Sequence, residues 1–485
     1  MNKNIRVRFA PSPTGFLHVG GLRTALYNYL FARHHQGRFV LRIEDTDRTR
    51  YVEGATENLI RTLKIMGLEY DEGPDVGGEY GPYMQSQRLE LYQRHARELV
   101  ENGHAYYCFC TREELEAMRK RQEAAGEPVM YDGTCRRLTP EQVQEKLERG
   151  LPHVIRLKMP REGDTTFQDI IRGEVTFHNA LIDDQILLKS DGYPTYHLAN
   201  VIDDHYMKIS HVIRGEEWLP SVPKHLQLYK AFGWEVPQMA HLPLLLNPDR
   251  SKLSKRQGDV AVEDFLEKGY LPEALINFVA LLGWNPGTDQ EIFSLQELIE
   301  KFSLERVSKS GAVFDLNKLK WMNGHYIREL PEAEQTQYVR RFLKKAGYDV
   351  SDSERIHKIA RAIYKRVETG EDVIREAAIF FLEKPEIREP EAREVLQKES
   401  ARVVLSAFLK KIEPLDELDV QTFATLMKEV QKETGLKKGE LWMPIRVALT
   451  GVTHGPDLPL VIEILGKQKI ENFIRHILEV EIPSR

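Results

Sequence analysis

The chain opens with apolar and polar positions that alternate, which is typical of a β-strand. This strand covers Ile5–Phe9, and a loop with two prolines and a glycine, Pro11–Gly15, ends it. From Leu22 the apolar residues recur at helical spacing, and a second apolar run follows over Arg38–Ile43. Strand, helix and strand in this order predict a parallel sheet. Its ligands would bind at the carboxyl ends of the strands and at the helix N-terminus.

The pattern changes twice more along the chain. The stretch from about Gln85 to Pro160 is mostly polar and helical, and strand-like patterns return at His153–Met159 and Phe167–Phe177. After about Phe314 long charged amphipathic segments dominate. We therefore predict an α/β domain that is interrupted by an insertion and followed by a helical C-terminal part.

Composition places the chain among globular proteins. Of its 485 residues, 41% are hydrophobic and 29% are charged, and at about 150 residues per domain this length predicts about three domains. Apolar runs such as Leu242–Leu246 are far shorter than the roughly 20 residues of a bilayer span. The N-terminus shows no apolar stretch of a secretory signal. We expect a cytoplasmic protein without a membrane segment.

Charge and cysteine usage narrow the class of partner. A net charge of −6 argues against a wholly basic nucleic-acid-binding body, so any RNA contact is expected to be local. The chain has three cysteines, Cys108, Cys110 and Cys135. An odd number clustered in one region argues against a disulfide framework and leaves a metal site open.

Two short motifs, far apart in the chain, suit nucleotide chemistry. His18–Gly21 lies where the first loop passes into its helix, and there the backbone amides and the helix dipole favour phosphate. Lys252–Arg256 places three cations in five residues, and such a loop can stabilise phosphate charge as it develops. Taken singly, each motif has an ordinary explanation, as turn chemistry or as a solvated basic turn.

Together the two motifs resemble the paired signatures of class I aminoacyl-tRNA synthetases. Five longer strings resemble the bacterial glutamyl-tRNA synthetase family, and the resemblance covers essentially the whole chain. These strings are Arg8–Gly15, Arg42–Asp47, Tyr193–Asn200, Val212–Trp218 and Phe314–Gly324. The fold that the resemblance implies is an α/β Rossmann-type catalytic domain with an inserted α+β acceptor-binding domain, followed by all-α C-terminal anticodon-binding domains.

The resemblance also implies domain boundaries. The catalytic domain would comprise residues 1–84 and 191–240, with the acceptor-binding (connective) insertion at 85–190 between its halves. A linking helical region that carries the basic loop would occupy 241–325. Two helical anticodon-binding subdomains would follow at 326–380 and 381–485.

A two-step reaction is implied by the same resemblance. L-Glutamate and ATP, with Mg²⁺, would give glutamyl-adenylate and pyrophosphate, and the 3'-terminal adenosine of tRNA(Glu) would then accept glutamate. Attack of a carboxylate on the α-phosphate requires positioning and charge stabilisation rather than a side-chain nucleophile. The expected enzyme is a glutamate–tRNA ligase, with a monomer as the default state.

Two alternatives remain open. One is an enzyme that also charges tRNA(Gln). The other is a small-molecule nucleotidyltransferase, in which the helical C-terminal part would lack a purpose.

Family positions carry over to this chain residue by residue. The catalytic residues would be His18, Lys252 and Lys255. ATP would be bound by His18, Gly20, Arg50, Lys252, Ser254 and Lys255. Glutamate would be bound by Arg8, Ala10, Ser12, Glu44, Tyr196, Asn200, Arg214 and Trp218. Guanidinium groups suit a carboxylate because they pair with both oxygens, and Glu44 would face the ammonium group.

The cysteines are one ligand short of a tetrahedral zinc site. Some relatives have a histidine two residues after the last cysteine, but Arg137 stands there and cannot ligate. Tyr131, four residues before Cys135, resembles the tyrosine–cysteine arrangement of glutamyl-queuosine-type relatives, while other members have no metal. Cys108, Cys110 and Cys135 are therefore either ligands of one structural zinc ion, with Tyr131, or buried small hydrophobes.

One residue of the helical part carries a specific expectation. Arg366 occupies a position that resembles an arginine which recognises the third anticodon base in enzymes restricted to the glutamate tRNA.

Overall fold

The computed structural model describes residues 4–253 and 261–482 of the chain. They form two units. The first comprises Met1–Phe265 and Leu275–Asp315, and the second comprises Leu266–Ala274 and Leu316–Arg485. Among the described residues, none of the helices has the length and apolar character of a membrane span.

The N-terminal strand, helix and strand form as the pattern predicts. β1 (Arg6–Phe9) and β2 (Arg38–Leu41) pair in parallel, and α1 (Val19–His34) connects them. All four residues of β1 are buried, and α1 buries Leu22, Leu26 and other apolar side chains. The loop after β1 therefore lies at the carboxyl end of a parallel strand, beside the start of α1.

The described residues of the first unit form nine further strands. They are β3 (Ala105–Cys108), β4 (Val154–Leu157), β5 (Asp164–Asp169), β6 (Gly173–His178), β7 (Ile186–Leu188), β8 (His211–Gly215), β9 (Gln238–Leu242), β10 (Leu245–Leu246) and β11 (Ala312–Val313). β3, β4 and β7 form an antiparallel sheet, and β10 pairs with β11 in parallel. The order β6–β5–β9–β8 makes a mixed sheet in which β9 is parallel to both β5 and β8.

The strand-like stretch Phe167–Phe177 is a hairpin of two strands. Asp169 Oδ1 closes its turn by accepting the backbone N–H groups of Ile171 and Arg172, at 3.0 and 2.9 Å. Gly173 follows with φ of 80°, which glycine adopts without strain. Both strands come from the predicted insertion at 85–190, yet β5 joins the sheet that contains β8 and β9.

Helices lie between these strands along the chain. They are α2 (Ala55–Ile65), α3 (Leu89–Glu101), α4 (Arg112–Ala125), α5 (Pro140–Glu148), α6 (Tyr196–Tyr206), α7 (Val222–Phe232), α8 (Val262–Glu267), α9 (Pro272–Ala280) and α10 (Leu295–Lys301). The last residues of α8 and the first residues of α9 belong to the second unit. Thr111 and Thr139 begin α4 and α5 with capping boxes, in which each hydroxyl accepts a backbone N–H that the helix leaves unpaired.

The second unit is helical, as the amphipathic pattern predicts, and residues 316–482 contain no strand. Its helices are α11 (Leu316–Glu329), α12 (Glu332–Lys345), α13 (Ser353–Ile363), α14 (Gly370–Ala377), α15 (Pro390–Gln397), α16 (Glu399–Ile412), α17 (Val420–Thr434), α18 (Gly439–Thr450) and α19 (Leu458–His476). One apolar core joins them, with Phe342, Phe380, Phe408, Phe423 and Phe473 buried at its centre.

Short turns of other helix types complete the structure. 3₁₀ turns lie at Gln85–Arg88, Thr134–Arg137, Asn179–Leu181, Glu216–Ser221, Leu304–Arg306, Tyr364–Arg366 and Ala378–Phe380, and a π turn lies at Ile477–Glu481.

Candidate active site

A cavity of about 470 Å³ lies at the carboxyl end of β1 in the first unit. Every residue predicted to bind glutamate lines it, namely Arg8, Ala10, Ser12, Glu44, Tyr196, Asn200, Arg214 and Trp218. From the predicted ATP set, His18, Gly20 and Lys252 line the same cavity. The structure thus brings together side chains from β1, α1, α6 and β8 that are far apart in sequence.

Three members of the predicted ATP set are placed differently. Ser254 and Lys255 lie outside the described residues. Arg50 is not among the residues that line the cavity. Its side chain is 70% exposed and pairs with Asp47 at 2.7 Å. Hydrogen bonds from Thr49 and Arg50 lower the pKa of Asp47 to about 2.

The histidine motif has a defined geometry at the start of α1. His18 caps the helix, and its Nδ1 accepts the backbone N–H of Gly21 at 3.1 Å. A neutral imidazole that accepts at Nδ1 carries its proton on Nε2, so His18 presents a donor suited to a phosphate oxygen. A Cβ on Gly20 would lie 3.0 Å from the His18 ring. Glycine at this position therefore lets the ring fold over the first helical turn.

Buried charges lie at the inner side of the cavity. Arg8 donates to both carboxylate oxygens of Asp204, at 3.0 and 3.2 Å. Arg42 donates to Asp204 at 2.7 Å and to Glu44 at 3.0 Å. Burial would raise the pKa of Asp204, but the two guanidinium groups outweigh it and lower that pKa. For Glu44 burial dominates over Arg42 and Arg8, and its pKa is raised.

The second arginine of the cavity, Arg214, has a different environment. Its Nη1 donates to the Tyr196 hydroxyl at 2.8 Å, and its Nε donates to His241 Nε2 at 3.1 Å. The Tyr196 ring packs against Trp218, with 4.2 Å between ring centroids. Asn200 is buried, and its Nδ2 has no hydrogen-bond partner among the described residues. An amide donor left in this state beside a cavity suits an acceptor on a bound ligand.

Sequence reasoning missed several residues of this site. Asp204 and Arg42 hold Arg8 and Glu44, while His225, His241 and Asp169 surround or support Arg214. The adjacent acids of α6 were a visible signal for Asp204. No signal marked His241 or Asp169, because only the pairing of β5 with β9 brings them together.

The three cysteines also come together in the structure. Their Sγ atoms lie within 4.8 Å of one another, and those of Cys110 and Cys135 are 3.5 Å apart. The Tyr131 hydroxyl lies 3.4 Å from the sulfurs of Cys108 and Cys110. Ligands about 2.0–2.3 Å from a tetrahedral zinc ion are separated by similar distances. These four side chains therefore fit a structural zinc ion.

Electrostatics at the cysteine cluster favour a thiolate at Cys108 alone. Burial raises the pKa of Cys110, and the hydrogen bond to Cys108 together with burial raises the pKa of Cys135. Hydrogen bonds from Cys135, Tyr131 and Arg156, the first being the strongest, lower the pKa of Cys108 to about 4 despite burial. Arg156 lies over the Tyr131 ring, 4.1 Å from its centroid. A deprotonated cysteine is the form that ligates a metal.

In the second unit, Arg366 ends the 3₁₀ turn Tyr364–Arg366. It pairs with Glu376 at 2.7 Å and donates to the His454 carbonyl at 3.3 Å. Its side chain remains 38% exposed.

Comparisons with known proteins agree with this geometry. Residues 4–321 match the family described as "tRNA synthetases class I (E and Q), catalytic domain", and residues 334–478 match "Anticodon binding domain". The chain is 51% identical to a glutamate–tRNA ligase of Alkaliphilus metalliredigens, over 98% of this chain and 99% of that protein. It is 49% identical to a glutamate–tRNA ligase of Clostridioides difficile, with the same coverage.

The chain belongs to the glutamate–tRNA ligase family of class I tRNA synthetases. A solved glutamate–tRNA ligase of Elizabethkingia meningosepticum, in complex with its amino acid, is similar over 99% of this chain and 100% of that chain, with a TM-score of 0.89 and 40% identity. The glutamate–tRNA synthetase of Elizabethkingia anophelis is similar with a TM-score of 0.90 and 39% identity, over 99% of this chain and 100% of that chain.

These findings confirm the predicted ligase family and its fold class, with a class I catalytic domain and a helical anticodon-binding region. These relatives give no support to a small-molecule nucleotidyltransferase or to an enzyme that also charges tRNA(Gln). The exact domain boundaries and the roles of single residues remain predictions.

Proposed function

We propose that this chain activates L-glutamate with ATP and Mg²⁺, releases pyrophosphate, and transfers the glutamyl group to the 3' end of tRNA(Glu). The observation that carries the proposal is the cavity at the end of β1, which is lined by the guanidinium groups of Arg8 and Arg214, the Glu44 carboxylate and the His18 motif. A site for an amino acid that bears an extra carboxylate needs this combination of charges.

Glutamate would be held by its charged groups. Arg214 would bind the side-chain carboxylate, and Glu44 would face the ammonium group. Arg8 would add positive charge to the cavity, although Asp204 already pairs with it. The unpartnered amide of Asn200 would donate to the amino acid, with Ala10, Ser12, Tyr196 and Trp218 completing the pocket.

ATP would lie beside the start of α1. His18 would donate from Nε2 to a phosphate oxygen, and Gly20 leaves room for the nucleotide. Lys252, with Ser254, Lys255 and Arg50 as further predicted ligands, would stabilise the charge that develops at the α-phosphate. Mg²⁺ would be held mainly by the phosphates, since it keeps several waters and rarely requires a protein cage.

Charging of purified tRNA tests the whole proposal. Radiolabelled glutamate should be transferred to tRNA(Glu) in the presence of ATP and Mg²⁺, and not to tRNA(Gln). Product on both tRNAs would support the proposed reaction and contradict its restriction to tRNA(Glu). Absence of product on either would contradict the proposed reaction.

Adenylate formation tests the basic loop. Lys255→Ala should slow pyrophosphate exchange, measured with tRNA present, at least about tenfold because it removes transition-state charge stabilisation. The KM for glutamate should change little. An unchanged exchange rate would contradict this role.

One structural zinc ion is proposed for Cys108, Cys110, Cys135 and Tyr131, on the strength of their spacing. It would stabilise the local fold and take no part in the reaction. Metal analysis of protein purified without chelator should find about one zinc per chain, as a closed four-ligand site requires. Cys135→Ser should release it, and a zinc-free wild-type protein would contradict the site.

The remaining proposals concern the cell and the assembly. The chain would act as a monomer in the cytoplasm, where tRNA is charged, with Arg366 recognising the anticodon of tRNA(Glu). Light scattering in solution tests the monomer, and fractionation of the source cell tests the location.

A further inference from the structure

Arg214 keeps its positive charge unpaired inside the cavity. Among residues 4–253 and 261–482, no carboxylate lies within 4.0 Å of its guanidinium, in contrast to Arg8 and Arg42. Its neighbours are the Tyr196 hydroxyl, His241 Nε2 and His225 Nδ1, at 2.8, 3.1 and 3.4 Å. Neutral acceptors orient a guanidinium without cancelling its charge, so the charge stays available for a carboxylate ligand.

The orientation of His241 is set from behind by Asp169. Asp169 Oδ2 lies 2.6 Å from His241 Nδ1, and both side chains are completely buried. Asp169 Oδ1 is already occupied by the backbone N–H groups of Ile171, Arg172 and His241, at 3.0, 2.9 and 3.3 Å. The carboxylate is therefore locked in place, with one oxygen facing the histidine.

This arrangement selects one tautomer of His241. Burial, the largest influence, lowers the pKa of His241 to about 4, so the ring is neutral at pH 7. A neutral ring that donates from Nδ1 to Asp169 has a free lone pair on Nε2. That lone pair is what the Nε–H of Arg214 requires. On the other side, His225 accepts from Arg214 and contacts His197 at 3.2 Å.

We propose that Asp169 and His241 are positioning residues that hold Arg214 in the orientation which binds the side-chain carboxylate of glutamate. The proposal rests on the role of Arg214 in the proposed function. Asp169 acts through His241 and does not line the cavity. It belongs to the hairpin of β5 and β6, so a segment outside the cavity wall controls how the cavity recognises its amino acid.

Asp169→Asn tests the proposal because it reverses the tautomer without changing size. The three backbone amides would keep the Asn oxygen, and the Asn NH₂ would face His241 Nδ1. The proton would then move to Nε2. The Nε–H of Arg214 would face another N–H group and would lose its acceptor. The KM for glutamate in tRNA charging should rise at least about tenfold, as for a buried donor left without its acceptor, while the KM for ATP stays within about twofold.

A second variant separates positioning from general damage. The amide oxygen of Gln reaches about as far as imidazole Nε2, so His241→Gln should accept from Arg214 without help from Asp169. We expect its glutamate KM to stay within about threefold of wild type, and adding Asp169→Asn in that background should change it no further. The proposal would be overturned if Asp169→Asn raised the glutamate KM equally in the wild-type and the His241→Gln backgrounds.

The β5–β6 hairpin offers a matched control. Asp164 pairs with His178 at 2.6 Å, the same distance as in the Asp169 pair, but both side chains are exposed. Asp164→Asn should leave the glutamate KM unchanged. Should Asp169→Asn not fold, His241→Leu replaces it. Leu removes the acceptor and should raise the glutamate KM at least about tenfold, and equal KM values for His241→Leu and His241→Gln would overturn the proposal.

Arg214→Lys distinguishes the positioning role of Asp169 from the carboxylate-binding role of Arg214. If it raises the glutamate KM and Asp169→Asn does not, the positioning role is wrong and the proposed function stands. If it leaves the glutamate KM unchanged, the role of Arg214 itself is wrong and the inference falls with it.

Discussion

The two units of this protein bury different kinds of side chain. Among the described residues, every buried Arg, Asp, Glu and His belongs to the first unit. The buried polar side chains of the second unit are all uncharged, namely Asn323, Gln335, Thr336, Thr369 and Thr450. The helical unit is thus held by its apolar core, while the α/β unit keeps charge in its interior.

The apolar core of the second unit is explained by stability, whereas the buried charges of the first unit are better explained by function. Buried ion pairs are weak contributors to stability, because removing both ions from water costs about as much as their attraction returns. Retaining a buried network of Arg8, Arg42, Glu44 and Asp204 under a cavity therefore indicates a use for it. The apolar core of the second unit needs no such explanation. Any RNA contact made by the exposed lysines and arginines of this unit is expected to weaken with salt.

Among the variants that test this difference between the units, Asp204→Asn is expected to have the largest effect, on the stability of the first unit. It leaves the Arg8 guanidinium buried with a neutral partner, while Arg42 keeps its pair with Glu44. It should lower the free energy of unfolding of the first unit by about 3–5 kcal/mol. Urea denaturation measures it. Arg361→Ala, at an exposed pair with Glu332 in the second unit, is the control and should leave the midpoint nearly unchanged. A loss no larger than in this control would contradict the prediction.

An apolar truncation tests the other unit. Leu405 is fully buried in α16, so Leu405→Ala should cost about 3 kcal/mol through the lost burial and the remaining cavity. The KM for glutamate should not change. A variant that retains full stability would show that this core tolerates cavities.

Glu44→Gln separates stability from binding within the first unit. Its pKa is raised in the folded state, so its stabilising contribution is present below the unfolded value near pH 4 and is lost as pH rises through the folded value. At pH 7 the variant should be at least as stable as wild type. Its glutamate KM should rise about tenfold, because the ammonium group loses its counter-charge.

Denaturation at pH 4 and pH 7 measures the stability of this variant. The difference from wild type should vanish at the lower pH. A variant that is less stable at pH 7 would contradict the pKa shift.

The smallest effect is expected from Arg366→Gln in the second unit. It should lower the preference for tRNA(Glu) over tRNA(Gln) a few-fold or more while glutamate activation is unchanged, because the residue lies outside the cavity. Charging kinetics on both tRNAs measure it. Lys365→Gln, at the neighbouring position, is the matched control, and equal selectivity in the two variants would remove Arg366 from anticodon recognition.

Much of the fold was predictable from local pattern. The alternation over Ile5–Phe9 and the helical spacing from Leu22 predicted β1 and α1. The alternation did not show that the polar face of β1 is buried as well, because Arg6 and Arg8 are buried through ion pairs with Glu72 and Asp204, which lie far away in the sequence. The hairpin of β5 and β6 was less visible. Its turn depends on Asp169 accepting backbone N–H groups, and no hydrophobic period reports such a bond.

The sequence by itself determined the reaction family and most of the cavity wall. Short motifs such as His18–Gly21 sit at a strand end and a helix start, where local chain geometry decides what they contact. Resemblance then identified Arg8 and Arg214 as guanidinium groups of the cavity, whereas Arg23, which also lines it, was not singled out.

Only the tertiary structure decided how those two groups differ. Asp204 reaches Arg8 from α6, and His241 reaches Arg214 from β9 with Asp169 behind it. Charge state and hydrogen-bond direction depend on burial and on partners distant in sequence, which local patterns do not encode. The packing of strands therefore determined that one arginine is neutralised and the other is left to attract a carboxylate.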